Sequence, residues 1–226
     1  MGSSMVKHSQ LTYKELKAQH RQIRENHPEG HRVRIHRALS WLNKAEQSAD
    51  DDDAQIIFLW IAFNAAYANE YDIELKKTAQ DLIYQFFNKI VQLDKDNLLY
   101  DLIWTEFSSS IRLLLDNKHI YQPFWDSQSG KLDELAWKKK FKTDNEKARR
   151  ALSKKDTSRI IWIVFNRLYT LRNQLMHGGA TWKGGKNREQ VRDAPNLLSK
   201  VVPVIIKVMM DNPDTLWGDP CYPVVE

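Results

Sequence analysis

The stretch AQIIFLWIAFNAAYAN, residues 54–69, decides the fold class of this chain. It is apolar on nearly every face when drawn at the helical period, which is typical of a central helix with neighbours around it. The preceding aspartates, 50–53, predict a turn and an N-terminal cap, because carboxylates are favoured at a helix start. Asn64 is the one polar residue deep in the run. Its amide is therefore either a structural tie or part of a polar site.

Outward from this segment the whole chain is predicted to be helical. Apolar periodicity indicates further helices at about 31–48, 75–93, 97–116, 157–177 and 189–210. Pro195 or Pro203 is expected to kink or divide the last of these helices. Alternating strand patterns are absent apart from short pieces near the C-terminus, and the few glycines and prolines cluster in connections. These patterns predict an all-α protein.

Composition shifts suggest how the chain is organised. Residues 1–30 are interpreted as an N-terminal extension, of which 1–4 look like a cloning remnant. Residues 31–210 form a single helical domain, in which the turn-rich and basic stretch at about 117–156 is an insertion. A Pro/Gly-rich tail follows at 211–226. The expected architecture is an up-and-down helical bundle with a basic helical insertion.

Charge and composition narrow the class of protein. The net charge is +5, and residues 131–156 alone carry ten Lys/Arg against five Asp/Glu. Such a segment attracts polyanions such as RNA, although a solvated charged helix explains it as well. No run approaches the roughly 20 apolar residues of a membrane helix, and no signal peptide is visible. With Cys221 as the single cysteine, a cytoplasmic protein without a membrane partner is expected.

The stretch from Arg172 to Gly179, RNQLMHGG, closes the apolar helix predicted at 157–177. Arg172 offers a forked donor that suits phosphate, and His177 moves protons near neutral pH. Asn173 lies one helical turn before His177 and would orient the substrate or an imidazole. These abilities are the ones that RNA cleavage without a metal requires. The alternative is a helix end whose cations offset the helix dipole.

The spacing within this stretch poses a geometric problem. Arg172 and His177 are five residues apart, so their directions differ by about 140° on an ideal helix. Either the last turn unwinds at the glycines, or two copies of the helix meet across a two-fold axis. A second face of the same helix carries aromatic and amide side chains, so we expect it to contact something other than solvent and to supply possible supporting residues. This face comprises Trp162, Asn166, Tyr169, Asn173 and His177.

Further candidate binding residues follow the helix in a Gly-rich loop. Trp182, Lys183, Lys186 and Arg188 would bind an RNA backbone beside the cleft, and an ordinary basic loop is an equal alternative. No metal site and no cofactor are expected. The N-terminal histidines are interrupted by Pro28 and Gly30, and no acidic or cysteine cluster joins them.

Taken with its helical surroundings, the Arg-Asn-x-x-x-His stretch at 172–177 resembles the Arg-x4-His signature of HEPN domains. The resemblance extends to the apolar helix at 59–67 and to Arg37 and Trp41, and covers about residues 31–115 and 157–210. It implies a bundle that usually forms a homodimer, with Arg172 and His177 catalytic and Asn173 supporting. Many members of the family are ribonucleases of toxin–antitoxin or anti-phage systems.

The resemblance therefore implies a metal-independent endoribonuclease that acts on RNA as a toxin or defence effector, with an antitoxin or defence protein as partner. Other relatives bind nucleotides or act as scaffolds without cutting RNA, so a non-catalytic module that binds nucleotide, RNA or protein remains open. A purely structural dimerisation domain is a third possibility.

Overall fold

A computed structural model describes residues 11–68, 79–184, 188–218 and 220–221, with the backbone alone at 79–80 and 188–191. Ten α-helices and no β-strand occupy these residues, so the predicted all-α class is confirmed. The helices are α1 (Tyr13–Ile23), α2 (Glu29–Glu46), α3 (Asp52–Tyr67), α4 (Ala79–Leu93), α5 (Leu98–Asp101), α6 (Ser108–Asp116), α7 (Gln122–Gln128), α8 (Glu134–Ser153), α9 (Thr157–Met176) and α10 (Arg188–Asp211). A π-helical turn, Leu102–Glu106, joins α5 to α6.

The apolar segment forms α3, which packs on α2, α9 and α10. Its cap is Asp51, whose carboxylate accepts the amide of Ala54 at 3.1 Å, as the aspartate run predicted. Ile56, Leu59 and Phe63 point into the core, whereas a strip of Ile57, Phe58 and Ile61 is only half-buried. The helix is therefore central on one side and reaches the surface on the other, which differs from the expected all-round burial.

A cluster of aromatic rings joins α3, α4 and α9. The ring of Phe165 on α9 lies 4.6 Å from that of Phe63 on α3 and 4.7 Å from that of Phe87 on α4. Each such pair contributes about 0.5–1.5 kcal/mol beyond the burial of its area. Trp60 contacts Phe165 and, one turn further along α9, Tyr169, at centroid distances of 5.9 and 6.0 Å. α3 and α9 therefore run antiparallel.

The sequence of α9 explains both of its ends. Asp156 caps the helix through a hydrogen bond from the amide of Arg159, at 3.0 Å. The apolar stripe of Ile161, Val164, Leu168 and Leu171, spaced three or four residues apart, is buried, and Leu175, four residues further on, is half-buried. At the other end Gly178 adopts φ +68°, a left-handed conformation that glycine reaches without steric cost. The amides of Gly178 and Gly179 then donate to the carbonyls of Leu175 and Gln174 at 3.3 and 2.7 Å, which closes a Schellman motif.

The last helix, α10, contains both Pro195 and Pro203 and is not divided by either. A proline removes one backbone hydrogen bond and crowds the preceding turn. Here a buried face holds the helix together around both prolines; it comprises Leu197, Leu198, Val201, Val202, Ile205 and Ile206. The stability that the helix loses at the two prolines is smaller than the stability gained by burying this face, since each such side chain contributes about 1.5–3 kcal/mol.

Two regions outside the predicted bundle also pack against it. α1 places Leu16 in the main core beside α2 and α10. Within the stretch interpreted as an insertion, α7 and α8 share a separate small core of Tyr121, Phe124 and Trp137, and α8 also packs on α9. Residues 1–4 and 222–226, the ends of the predicted extension and tail, lie outside the described residues. Among the described helices, none is long and apolar enough to cross a bilayer.

Candidate active site and groove along α9

The Arg172–His177 stretch lies on a regular helix end. The amide of His177 donates to the carbonyl of Asn173 at 3.0 Å, so the last turn of α9 is intact. The unwound alternative is therefore not what the structure adopts. Arg172 donates from Nη1 to the side-chain oxygen of Asn173 at 3.0 Å, which draws its guanidinium toward that side of the helix. His177 is exposed, and Arg172 and Asn173 are half-buried.

The helix separates the two candidate catalytic side chains. At about 100° per residue, Arg172 and His177 lie on opposite flanks of a strip formed by Tyr169, Asn173 and Met176. Tyr169 and Met176 are large apolar side chains with 41% and 49% of their surface exposed. One chain alone thus presents an arginine and a histidine on either side of an exposed apolar strip. A second copy packed against Met176, at the end of this strip and outside the groove lining, would bring an arginine of one chain toward a histidine of the other.

The candidate supporting residues do not all reach this end. Asn166 and Tyr169 share a groove with Asn173 on α9. Asn64 follows Phe63, whose ring contacts Phe165 in the middle of α9, so Asn64 lies away from the end of α9 that carries His177. The structure therefore does not bring Asn64 together with Arg172 and His177, and its side chain is half-buried. Its backbone carbonyl accepts the amide of Ala68 at 2.9 Å, within the helix end.

The loop after α9 is anchored to the start of α3. The indole of Trp182 donates to Asp51 at 2.9 Å, and the amide of Lys183 donates to Asp53 at 2.8 Å. The hydrogen bonds from Ala54 and Trp182 lower the pKa of the Asp51 carboxyl. The ammonium of Lys183 lies 4.7 Å over the Trp182 ring, and both side chains are exposed. Lys186 and the side chain of Arg188 lie outside the described residues.

A groove of about 440 Å³ runs along the face of α9 that carries Asn166 and Asn173. Its other wall is α8 with the connection between α6 and α7. Its lining combines four cations, one carboxylate, three large aromatics and several amides and hydroxyls: Arg159, Arg167, Lys140, Lys147, Asp144, Trp162, Tyr169, Tyr121, Asn166, Asn173, Thr170, Gln122, Ile120, Pro123 and Ile163. Sequence reasoning identified Trp162, Asn166, Tyr169 and Asn173 but missed the four cations, of which two lie on α9 and two on α8.

Arg167 lies buried in the wall of this groove. Its guanidinium is 4.1 Å from the centre of the Tyr121 ring, and Nη2 donates to the side chain of Asn145 at 3.1 Å. Burial lowers the pKa of this guanidinium to about 10, so it remains a cation at neutral pH. Tyr121 in turn donates to Asp144 at 2.8 Å, and burial raises the pKa of the phenol.

No group of three or more His, Cys, Asp or Glu side chains arranged to hold a metal occurs among the described residues. Of the described N-terminal histidines, His20 and His31 are buried and His36 is exposed. No family model, no curated protein and no solved structure matches the chain.

Proposed function

We propose that this protein is a metal-independent endoribonuclease of the HEPN type that works as a homodimer. The observation that carries the proposal is the intact end of α9, which presents Arg172 and His177 on the two flanks of an exposed apolar strip. Pairing of two such helix ends at Met176 supplies a cleft with two arginines and two histidines. Neither residue type needs a metal to act on a phosphodiester.

In this cleft a neutral His177 removes the proton of a ribose 2′-hydroxyl while the 2′-oxygen attacks the adjacent phosphorus. The bond from phosphorus to the 5′-oxygen breaks, and the partner's His177 or water supplies the proton that the 5′-oxygen takes up. Arg172 offsets the charge that develops on the phosphate, and Asn173 keeps Arg172 in place through its side-chain hydrogen bond. The products are a 2′,3′-cyclic phosphate and a 5′-hydroxyl.

The setting that this proposal implies is a toxin or anti-phage effector in a prokaryotic cytoplasm, held in check by an antitoxin or another defence protein. RNA is the substrate, bound in addition by Trp182 and Lys183 of the anchored loop and by Lys186 and Arg188. Induced expression in a bacterium tests this setting. Growth should stop with the wild-type protein and continue with His177→Ala.

The test of catalysis uses purified protein and RNA in EDTA. Wild type should cleave the RNA and leave cyclic-phosphate ends, and Arg172→Ala and His177→Ala should each lose about 10²- to 10⁴-fold in rate. His36→Ala and Arg149→Ala, exposed residues elsewhere on the surface, are the matched controls and should cleave normally. Equal behaviour of the wild type and the two α9 variants rejects the catalytic assignment.

Mixing the two inactive variants tests whether the site is shared. A heterodimer of Arg172→Ala and His177→Ala chains retains one intact arginine and one intact histidine. Unfolding and refolding the mixture should therefore restore about a quarter of the activity if chains pair at random and each dimer has two sites. A site contained within one chain gives no restoration.

A second function is favoured by one observation, the angle of about 140° between Arg172 and His177 on an intact helix. Without a partner chain, that geometry makes a binding surface rather than a catalytic pair. A non-catalytic module that binds nucleotide or RNA would show saturable binding, weakened by Arg172→Ala, and no cleavage. A purely structural dimer would show neither.

A further inference from the structure

The groove along α9 has an excess of cationic side chains. Lys147 lies 3.2 Å from Asp144, which is the one carboxylate of the lining, and that carboxylate also accepts the hydroxyl of Tyr121. Lys140 and Arg159 make no ion pair with any residue that the structure describes. Two of the groove's cations thus have no anionic partner in the described part of the chain, which is the charge pattern of a phosphate-binding surface.

Arg167 strengthens this argument because burying a charge is costly. Only 4% of its surface is exposed, and its Nη1 finds no hydrogen-bond acceptor within the described part of the chain. Buried cations are normally paired with a carboxylate at hydrogen-bond distance. Here the aromatic rings of Tyr121 and Phe141 lie 4.1 and 5.3 Å away, and the carboxylates of Asp144 and Asp116 attract the guanidinium only from beyond hydrogen-bond distance. A polyanion in the groove would add to this partial compensation.

The aromatic residues of the groove suit bases rather than phosphate alone. Trp162 and Tyr169 lie two turns apart on the same face of α9, and the guanidinium of Arg159 lies 4.9 Å over the Trp162 ring. Between and beyond the rings, Asn166 and Asn173 place amides that can pair with base edges. Rings, arginine planes and amides in one basic groove are the combination that binds unstacked nucleotides.

The length and direction of the groove indicate a strand rather than a single nucleotide. From Arg159 to Asn173 the lining covers fourteen helical steps, about 21 Å at roughly 1.5 Å each. At about 3.4 Å per nucleotide of a stacked strand this length spans roughly six nucleotides, and it spans fewer of an extended strand whose bases are unstacked. Asn166, Thr170, Asn173 and His177 follow each other at spacings of four, three and four. The groove therefore leads along one helix face to His177.

We propose that this groove binds a single-stranded segment of RNA and delivers it to the end of α9. The phosphates lie against Arg159, Lys140 and the Arg167 wall, and bases stack on Trp162 and Tyr169. Duplex RNA is excluded because its bases are stacked inside the helix and cannot reach these rings. The direction toward His177 rests on the proposed ribonuclease function, whereas binding in the groove does not.

The experiment measures binding of a short fluorescein-labelled single-stranded RNA to the His177→Ala protein, which leaves the RNA intact. Arg159→Gln/Lys140→Gln removes two charges from the groove. Lys139→Gln/Lys142→Gln removes two charges from the same region, at exposed positions that do not line it. We expect Kd to rise at least about tenfold for the groove pair and less than about threefold for the control pair. The slope of log K against log salt should fall by about 1.4 in the groove pair, at about 0.7 for each phosphate contact.

One further measurement tests base stacking, and another checks that the variants are folded. Tyr169→Leu should weaken binding by roughly fivefold to a hundredfold, the effect of losing one base stack. Thermal unfolding checks that each variant is folded. If Arg159→Gln/Lys140→Gln does not fold, the RNA affinities of the single variants Lys140→Gln and Lys139→Gln are compared instead, because both lysines are exposed.

Equal losses of RNA affinity in the groove and control pairs would overturn the proposal, because they would show that the overall positive charge of the surface attracts the RNA. Competition by AMP, GMP, CMP or UMP as tight as that of the oligonucleotide would identify a mononucleotide pocket instead. Equally tight binding of duplex RNA would also overturn it. Failure of the ribonuclease proposal is seen separately, as uncut RNA with the wild-type protein, and leaves these binding comparisons unchanged.

Discussion

The guanidinium of Arg167 lies 4.1 Å from the centre of the Tyr121 ring and, among the described residues, donates one hydrogen bond, to Asn145. A second buried arginine, Arg34, is held quite differently. It donates to the carbonyls of Ala66, Ala68 and Gly218 at 2.8, 2.6 and 3.0 Å, and so satisfies the C-terminal end of α3. Two arginines of nearly equal burial thus differ in their hydrogen-bond partners, since three carbonyls hold Arg34 and one amide holds Arg167.

Replacing each of them with methionine should separate these two situations. Arg34→Met leaves several buried carbonyls without a donor and should lower the free energy of unfolding by about 2–5 kcal/mol. Arg167→Met removes a cation that has no carboxylate at hydrogen-bond distance among the described residues, and should change stability by about 1 kcal/mol or less. Urea unfolding of both variants measures the difference. A loss at Arg167 as large as that at Arg34 would show that the Tyr121 stack and Asn145 compensate its charge fully.

The end of α9 depends on the conformation of Gly178. Its φ of +68° is costly for any residue with a Cβ, although nothing lies within 4 Å of where that atom would be. Gly178→Ala should therefore lower stability by about 1–2 kcal/mol through the backbone alone. Gly130→Ala is the matched control, because Gly130 has φ +74° and equal space but lies on the connection between α7 and α8.

Both glycine variants should lose similar stability, and only Gly178→Ala should also slow RNA cleavage, because it displaces His177. Calorimetry and the cleavage assay measure the two effects. Equal cleavage by both variants would mean that the exact course of the chain after Met176 does not matter to catalysis.

Periodicity alone located most of the helices because their buried stripes are long and regular, as in Ile161, Val164, Leu168 and Leu171. α1 was not predicted, since its buried residues are only Leu16 and His20 and they make no apolar stripe. The capping of α3 by Asp51 and the stop of α9 at Gly178 followed from local chemistry. Local rules are reliable at such positions because the partner groups lie within four residues.

The groove could not be predicted because its walls are distant in sequence. Lys140 lies on α8, Tyr121 precedes α7, and Arg159 lies in the first turn of α9. These residues come together only because α8 packs against α9. One signal was present in the sequence. Arg167 is a cation in the middle of an apolar helix, and such a residue either ties the fold or faces a ligand.

Stability should fall in acid because of His20 and His31. Burial lowers the pKa of each imidazole to about 4, below the value of about 6.5 in an unfolded chain. Between these values the unfolded state binds more protons, so their contribution is complete above pH ~6.5 and is lost as the pH falls toward 4. Urea midpoints measured across this range should fall with decreasing pH.

His20→Leu should flatten this dependence, because the leucine stays neutral throughout. Glu46 and Asp94, whose carboxyl pKa values are raised by burial, act in the opposite direction and are the same in both proteins. The difference between the two pH profiles therefore isolates the imidazole. Parallel profiles would show that His20 takes up its proton in the folded state without cost.

Dimer formation through the exposed strip of α9 is tested best at Met176, which does not line the groove. Met176→Glu places a charge at the centre of the proposed contact, where two copies face each other, so like charges repel and must be desolvated. The variant should sediment as a monomer and lose RNA cleavage, while binding of single-stranded RNA in the groove persists. Leu113→Glu is the matched control, since Leu113 is 71% exposed on α6, and should leave both the dimer and the activity intact. A wild-type protein that is monomeric at assay concentrations and still cleaves RNA would contradict the shared site, since on one helix Arg172 and His177 point apart.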